Sequence, residues 1–183
     1  VMFDISRISL ICKQYGVYLI VDEAHGALWN FHKAIGTPSI LQGADIVVQS
    51  LHKTAGAMNP AALLHVGWES PLEAKYVQQA LNLFNTTSPS YPLLLNIESV
   101  IEFLSSQKGQ SYIQDYMKKL IKVIRSLKSI PNLKVYSNCN DITKVLVKVT
   151  NLSGFELSSI MYDKFGIEDE LANEKTVLFL TGI

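Results

Sequence analysis

Four side chains of types that do chemistry follow two apolar runs near the start of this 183-residue chain. Asp22 comes directly after the run of residues 17–21, and Ser50, His52 and Lys53 follow the run of residues 46–48. Such runs predict buried strands, and in α/β proteins the carboxyl ends of parallel strands border the ligand crevice. A carboxylate and an amine delivered in this way are candidates to face one ligand.

The string LIVDEAH matches the acidic box of a DEAH-type helicase, in which an Asp-Glu pair holds Mg²⁺ beneath a phosphate loop. The sequence contains neither a GxxxxGK[ST] loop nor a downstream Ser-Ala-Thr motif. Its 16 basic residues are balanced by 16 acidic ones, which disfavours a nucleic-acid motor. We therefore do not favour the helicase interpretation.

Taken singly, the polar residues need no ligand at all. An Asp at the end of a strand often only forms a turn, and a lone lysine in a loop is usually solvated. The histidines lack HxxxH and HxH spacing and have no neighbouring cysteine, so we expect no metal site at His25, His32, His52 or His65. The feature to explain is the combination of Asp22 with Lys53.

That combination is the layout of pyridoxal-phosphate enzymes of the aspartate aminotransferase fold type: a strand-end Asp, then a second strand ending in Ser-x-His-Lys. In those enzymes the lysine forms a Schiff base with the cofactor aldehyde, and the carboxylate pairs with the pyridine nitrogen. The carboxylate keeps this nitrogen protonated, so the ring accepts electrons from the bond being broken at the substrate Cα. The serine of the Ser-x-His-Lys string has a short side chain whose hydroxyl can donate to the cofactor phosphate.

The composition is that of a soluble globular protein, with 48% hydrophobic and 17% charged residues. The zero formal net charge favours a small-molecule partner over nucleic acid or a membrane surface. No apolar stretch is long enough to span a bilayer and the start lacks a signal-peptide pattern, so we expect a cytoplasmic protein. Cys12 and Cys139 show no framework spacing, which predicts a reducing compartment.

The surrounding pattern predicts an α/β arrangement. Asp4 caps a helix that ends at Gly16, and Thr37-Pro38 starts a short helix within an otherwise loop-like segment, residues 23–43. Strands are predicted at residues 17–22, 45–49 and 61–66. The last two are too close for a helical crossover, so we expect them to be antiparallel within a mostly parallel sheet.

The second half predicts helices and then a change of architecture near Pro131. Gly109 is expected to separate two of the helices, and a basic cluster on the second is interpreted as a solvated face. The predicted helices are 71–83, 92–107, 110–127 and 155–165, and the predicted strands are 134–136, 144–150, 167–170 and 176–181. The domains are therefore predicted as residues 1–130, part of a large domain, and 131–183, the start of a truncated small α+β domain.

Four strings, in the order VDEAHGA, GADIVVQSLHKT, ALLHVG and TTSPSYPLL, closely resemble the large domain of the bacterial-type, pyridoxal-phosphate-dependent Orn/Lys/Arg decarboxylases. FGIEDELANEKTVLFLTGI resembles the point where that family enters its next domain. The resemblance covers nearly the whole chain and is most specific over residues 17–66. It implies an α/β fold of the PLP-dependent transferase-like class, fold type I.

Carried over residue by residue, the resemblance implies that Lys53 is the Schiff-base lysine and that Asp22 pairs with the pyridine nitrogen of pyridoxal 5'-phosphate. It also implies that Ser50 binds the cofactor phosphate. His52 resembles the histidine that lies against the cofactor, where it can help proton transfer. Lys53 and His52 are thus the expected catalytic residues.

Two further cofactor contacts follow from the same resemblance. His25 stands where other branches of the family carry a tryptophan near the cofactor. Thr86 lies in a string that resembles the loop reaching across a dimer interface to the neighbouring subunit's phosphate, which implies a homodimer or higher homo-oligomer. The chain departs from the family at Met58-Asn59-Pro60, where a Thr-Gln pair is usual.

The implied reaction is the α-decarboxylation of lysine, ornithine or arginine to a diamine or agmatine, in polyamine metabolism. Two alternatives stay open: another fold-type-I enzyme, either an aminotransferase or a lyase, and a catalytically dead homologue acting as a partner subunit. Since the family's phosphate turn and ring-stacking histidine belong to upstream sequence, we expect this chain alone to be inactive.

Overall fold

The computed structural model describes residues 3–32, 35–137 and 141–183. They form two compact units, residues 1–110 and 111–183. The predicted boundary between domains near residue 130 stays a prediction. Cys139, on which the expected reducing compartment partly depends, lies outside the described residues.

The first unit opens with helix α1, Ile5–Gln14. As predicted, Asp4 caps it, because Asp4 Oδ1 accepts a hydrogen bond of 3.0 Å from the backbone N–H of Arg7. The chain turns away after the helix at Gly16, which adopts the left-handed conformation with φ 63°. This turn leads the chain into the sheet.

A three-stranded sheet of order β1-β2-β3 carries the polar strand ends of the first unit. Strand β1 is parallel to β2, and β3 is antiparallel to β2 as predicted. Val47 of β2 is fully buried, but β1 is an edge strand whose Ile20 is 64% exposed. The expectation that both strands are buried is therefore wrong for β1. The strands are Ile20–Asp22, Ile46–Ser50 and Ala62–Val66.

The segment between β1 and β2 is less loop-like than its sequence predicted. It contains a 3₁₀ helix, Ala24–Asn30, and the predicted short helix, a second 3₁₀ turn, Ser39–Gln42, which ends at Gly43. The first was missed because a 3₁₀ helix has three residues per turn, so it shows no 3.6-residue apolar period, and this one has no side-chain cap.

The remaining helices of the first unit come after β2 in sequence. Gly109, which was expected to separate two helices, lies inside α5, and the break falls at Ser106. A Cβ at Gly109 would lie 2.0 Å from the Phe103 carbonyl oxygen, so only glycine fits this sharp corner. The helices are α2, Leu51–Thr54; α3, Ala74–Phe84; α4, Tyr91–Ser105; and α5, Gln107–Lys128, which continues into the second unit.

The second unit is an antiparallel sheet of order β4-β5-β7-β6 with its own core. Leu120 and Ile124 of α5 pack in one cluster with Val145, Val147 and Val177 of the sheet. The elements are β4, Leu133–Ser137; β5, Lys144–Val149; α6, Gly154–Phe165; β6, Leu171–Ala172; and β7, Val177–Leu180.

A strand predicted at residues 167–170 is displaced to β6. Gly166 ends α6 in the left-handed conformation, and the Ile167 N–H donates back to the Met161 carbonyl. The cap therefore occupies the Ile167 N–H, which the predicted strand would need for pairing with a neighbouring strand. Among the described residues, no helix combines the length and the apolar character needed to cross a bilayer.

Candidate active site at the ends of β1 and β2

The ends of β1 and β2 lie side by side. The strands are parallel neighbours with Asp22 opposite Val48, so Asp22 and Ser50 leave the sheet at the same edge. Asp22 is exposed, and its Oδ1 accepts from the Ala24 N–H at 3.0 Å. Within the described residues Oδ2 accepts no hydrogen bond, so one carboxylate oxygen is anchored by the turn and the other is available to a ligand.

The side chains of Lys53 and His25 contact each other near this edge. Lys53 is exposed in α2, and His25 lies in the 3₁₀ helix of residues 24–30, which packs against α2. The Nζ of Lys53 lies 3.1 Å from Nε2 of His25, a hydrogen-bond distance. The segment that follows Asp22 and the segment that follows Ser50 are therefore joined through these two side chains.

The tautomer of His52 is fixed by its surroundings. Its Nδ1 lies 2.9 Å from the Ala61 carbonyl oxygen, which can only accept, so Nδ1 carries the proton and donates. In the neutral ring Nε2 then has a free lone pair. His52 is half-buried, and Nε2 is the ring nitrogen left to accept a hydrogen bond.

Ser50 and Thr86 differ in how they relate to this edge. Ser50 is the N-cap residue of α2, but its half-buried hydroxyl makes no capping hydrogen bond and can donate to an anion. Thr86 lies in the loop between α3 and α4, where its Oγ1 accepts from the Ser88 N–H at 3.2 Å. The structure thus brings His25 to Lys53 and leaves Thr86 in a separate loop.

The edge therefore presents an amine, a carboxylate, a hydroxyl and an imidazole. An exposed amine can condense with a carbonyl compound, and a carboxylate favours the protonated form of a nearby nitrogen. The described residues include no cluster of His, Cys, Asp and Glu that could hold a metal ion. The chemistry available here is that of an amine assisted by acid-base groups.

A buried polar network beneath the edge was not identified from the sequence. The carboxylate of Glu23 accepts from the backbone N–H of Ser39 at 2.9 Å and from the Ser39 hydroxyl. It also accepts from Nε2 of Gln49 at 2.5 Å. The available signals were a second acid directly after Asp22 and an amide, Gln49, in an otherwise apolar strand.

The network extends from Gln49 to two further side chains. Gln49 Oε1 accepts from Asn30 Nδ2 at 2.6 Å and lies 3.0 Å from Nε2 of His65. Burial lowers the pKa of His65, and the charge of Glu23 opposes that shift. His65 therefore favours its neutral form, with Nε2–H donating to Gln49.

Comparison with known proteins places the chain within one family. The sequence model described as Orn/Lys/Arg decarboxylase, major domain, matches residues 1–158. The chain is 28% identical over 183 residues to the uncharacterized protein YaaO of Bacillus subtilis and 27% identical over 188 residues to an arginine decarboxylase of Bacillus anthracis. Each match covers 97% of this chain but only 38% of the relative, so the chain spans well under half of their length.

Comparison with solved structures shows the fold. The constitutive lysine decarboxylase of E. coli matches with a TM-score of 0.75 at 17% sequence identity, over 98% of this chain and 32% of that one. The predicted α/β class is confirmed by this likeness in fold.

Proposed function

The chain belongs to the Orn/Lys/Arg decarboxylase family, and from this membership we propose that the full-length protein decarboxylates a basic amino acid with pyridoxal 5'-phosphate as cofactor. The substrate is lysine, ornithine or arginine, and the product is a diamine or agmatine. The observation that carries the proposal is the position of Asp22, Ser50 and Lys53 at one edge of two parallel strands. The name of the Bacillus anthracis relative supports it.

The residues at this edge fit the cofactor by their chemistry. The amine of Lys53 would bond to the aldehyde, and the open oxygen of Asp22 would hold the ring nitrogen. The hydroxyl of Ser50 would donate to the phosphate. When bound, the cofactor supplies an electron sink for the pair released as the bond between Cα and the carboxylate breaks.

Each side chain has a separate task in this proposal. The carboxylate of Asp22 would favour the protonated form of the ring nitrogen, which would strengthen the electron sink. His25 accepts an N–H of Lys53 and so orients the amine. Lys53 Nζ, and His52 Nε2 once its lone pair has taken up a proton, would be the groups that deliver a proton to Cα.

The proposal extends to the oligomeric state, the cellular compartment and the metabolic role of the protein. Thr86 would contact the cofactor phosphate of a neighbouring subunit, so the full-length protein would be at least a homodimer. We propose a cytoplasmic enzyme of polyamine biosynthesis. We propose that this chain alone is inactive, because the family resemblance implies a phosphate turn and a ring-stacking histidine from upstream sequence.

The test is covalent cofactor binding by the full-length protein. Borohydride reduction after incubation with pyridoxal phosphate should fix the cofactor on Lys53, as read by peptide mass, and the absorbance band of the lysine-bound cofactor should be lost in Lys53→Ala. Lys119→Ala, an exposed lysine of α5, is the matched control and should keep both signals. An unchanged band in Lys53→Ala would refute the assignment.

The reaction type needs a second measurement. Release of labelled carbon dioxide from carboxyl-labelled lysine, ornithine or arginine distinguishes a decarboxylase from an aminotransferase or a lyase acting elsewhere on the substrate.

A catalytically dead partner subunit is the other candidate. The altered loop at residues 58–60 favours it. This loop is held to α4, because the Met58 N–H donates to Asn96. Cofactor binding without turnover of any of the three substrates would favour that candidate.

A further inference from the structure

We infer that Glu23 is a positioning residue for Lys53 and acts through Gln49 and the 3₁₀ helix of residues 24–30; this inference rests on the proposed function. Glu23 is only 6% exposed, although it directly follows the exposed Asp22. Burying a carboxylate is costly unless hydrogen-bond donors surround it. Glu23 has three such donors, two from Ser39 and one from Gln49.

Gln49 connects this carboxylate to both ends of the 3₁₀ helix. Its Nε2 also lies 3.4 Å from the Gly26 carbonyl oxygen, near the start of the helix. Its Oε1 accepts from Asn30, the last residue of the helix. Glu23 thus fixes the orientation of the Gln49 amide, and the amide fixes the helix against β2.

Packing restricts the helix in the same way. A Cβ at Gly26 would lie 2.4 Å from the Cγ of Glu23, so the backbone at Gly26 rests directly on the Glu23 side chain. His25 precedes Gly26, and its Nε2 is the atom that contacts Lys53 Nζ. The position of His25 is therefore set by the contact of Gly26 with Glu23 and by the hydrogen bonds of Gln49 to the two ends of the helix.

Loss of the Glu23 carboxylate should change the hydrogen bonding of the Lys53 amine. In Glu23→Gln, the new amide cannot accept from both Ser39 and Gln49, so a donor faces a donor at one end of the network. Leaving a buried donor unpaired is unfavourable, and the 3₁₀ helix would shift to relieve it. Because His25 accepts an N–H of Lys53, its displacement should lower the pH at which the lysine-bound cofactor loses its proton.

The experiment is a pH titration of the absorbance of the lysine-bound cofactor in the full-length protein. Glu23→Gln and His25→Ala should each lower the midpoint by about half a unit or more, the effect of losing one hydrogen bond. Glu23→Gln added to His25→Ala should give no further shift, because Glu23 acts through His25. Glu102→Gln, an exposed site on α4, is the matched control and should keep the wild-type midpoint.

A swapped pair tests the geometry even if Glu23→Gln folds poorly. In Glu23→Gln with Gln49→Glu, the amide at 23 can accept from Ser39 and donate to the carboxylate at 49, which still accepts from Asn30 and His65. Only the 3.4 Å contact of residue 49 with the Gly26 carbonyl is lost, so this variant should reverse most of the shift caused by Glu23→Gln. A swapped pair without this recovery, or a Glu23→Gln midpoint equal to that of Glu102→Gln, would overturn the positioning role. Absence of cofactor on Lys53 in the wild type would instead overturn the proposed function.

Discussion

At the scale of single residues, Thr54 places its hydroxyl in a buried position. It directly follows Lys53, is 2% exposed, and its hydroxyl has no hydrogen-bond partner among the described residues. An unpaired buried hydroxyl is destabilising, whereas its methyl group fills space in the core. The two parts of this side chain therefore act in opposite directions on stability.

We predict that Thr54→Val stabilises the chain by about 1 kcal/mol, because it removes the unpaired hydroxyl and keeps the shape. Thr54→Ser is the matched control, since it keeps the hydroxyl and deletes the methyl group, and it should destabilise by about 1 kcal/mol. Urea unfolding of both variants measures the difference. Equal destabilisation by the two changes would show that the hydroxyl has a partner in solution.

The sequence could predict only some of the site residues. Asp22 and Lys53 were found because an acid and an amine after apolar runs are visible in the sequence. Glu23 was identified only as half of a helicase-like motif, and nothing except its polarity marked Gln49 as a site residue. Their hydrogen bond joins residues 26 positions apart, and a pairing of that kind exists only once two strands are placed side by side.

At the scale of elements, α6 begins with a reciprocal cap. Ser153 Oγ accepts from the Glu156 N–H at 3.1 Å, and the Ser153 N–H donates to Glu156 Oε2 at 2.7 Å. The Glu156 carboxylate accepts from the Ser153 backbone N–H and, at 2.7 Å, from the Ser153 hydroxyl, and these two bonds, the backbone one first, lower the pKa of Glu156. The start of α6 is thus held by two residues whose types and spacing form a capping box.

Ser153→Ala should destabilise the chain by about 1 kcal/mol near neutral pH, the usual effect of losing an N-cap. Because the pKa of Glu156 is lower in the folded state, the stability it contributes is present above the ordinary value of 4.5 and is lost as the pH falls through the lowered pKa. The difference between wild type and variant should therefore shrink in acid. Urea unfolding at neutral and acidic pH measures it, and a difference independent of pH would contradict the bond between the Ser153 hydroxyl and the Glu156 carboxylate.

Elements with a local signal were predicted better than elements set by tertiary contacts. The cap of α1 at Asp4 and the antiparallel pairing of β2 with β3 follow from residues near in sequence. The 3₁₀ helix of residues 24–30 depends instead on Glu23 and Gln49, whose contacts are distant. The displaced strand after Gly166 shows that a helix cap can take backbone groups that an apolar pattern assigns to a sheet.

At the scale of the whole molecule, each of the two units has a hydrophobic cluster among its described residues. The first unit has Val47 with Ile5 and Ala44, and the second has Leu120 of α5 with Val145 and Val177. The sequence predicted a change of architecture near Pro131 because strands follow helices there. Composition alone could not show that α5, which precedes this change, packs on the sheet of the second unit.

Core substitutions can test where α5 belongs. Leu120→Ala should destabilise the unfolding transition of the second unit by roughly 3 kcal/mol, because it removes a buried side chain from the cluster that contains Val145 and Val177. Val47→Ala, the matched change in the first unit, should act on the other transition by about 2 kcal/mol. Calorimetry of the 183-residue chain resolves the two effects. If Leu120→Ala and Val47→Ala lower the same transition, α5 belongs with the first unit in solution, as a domain boundary near residue 130 requires.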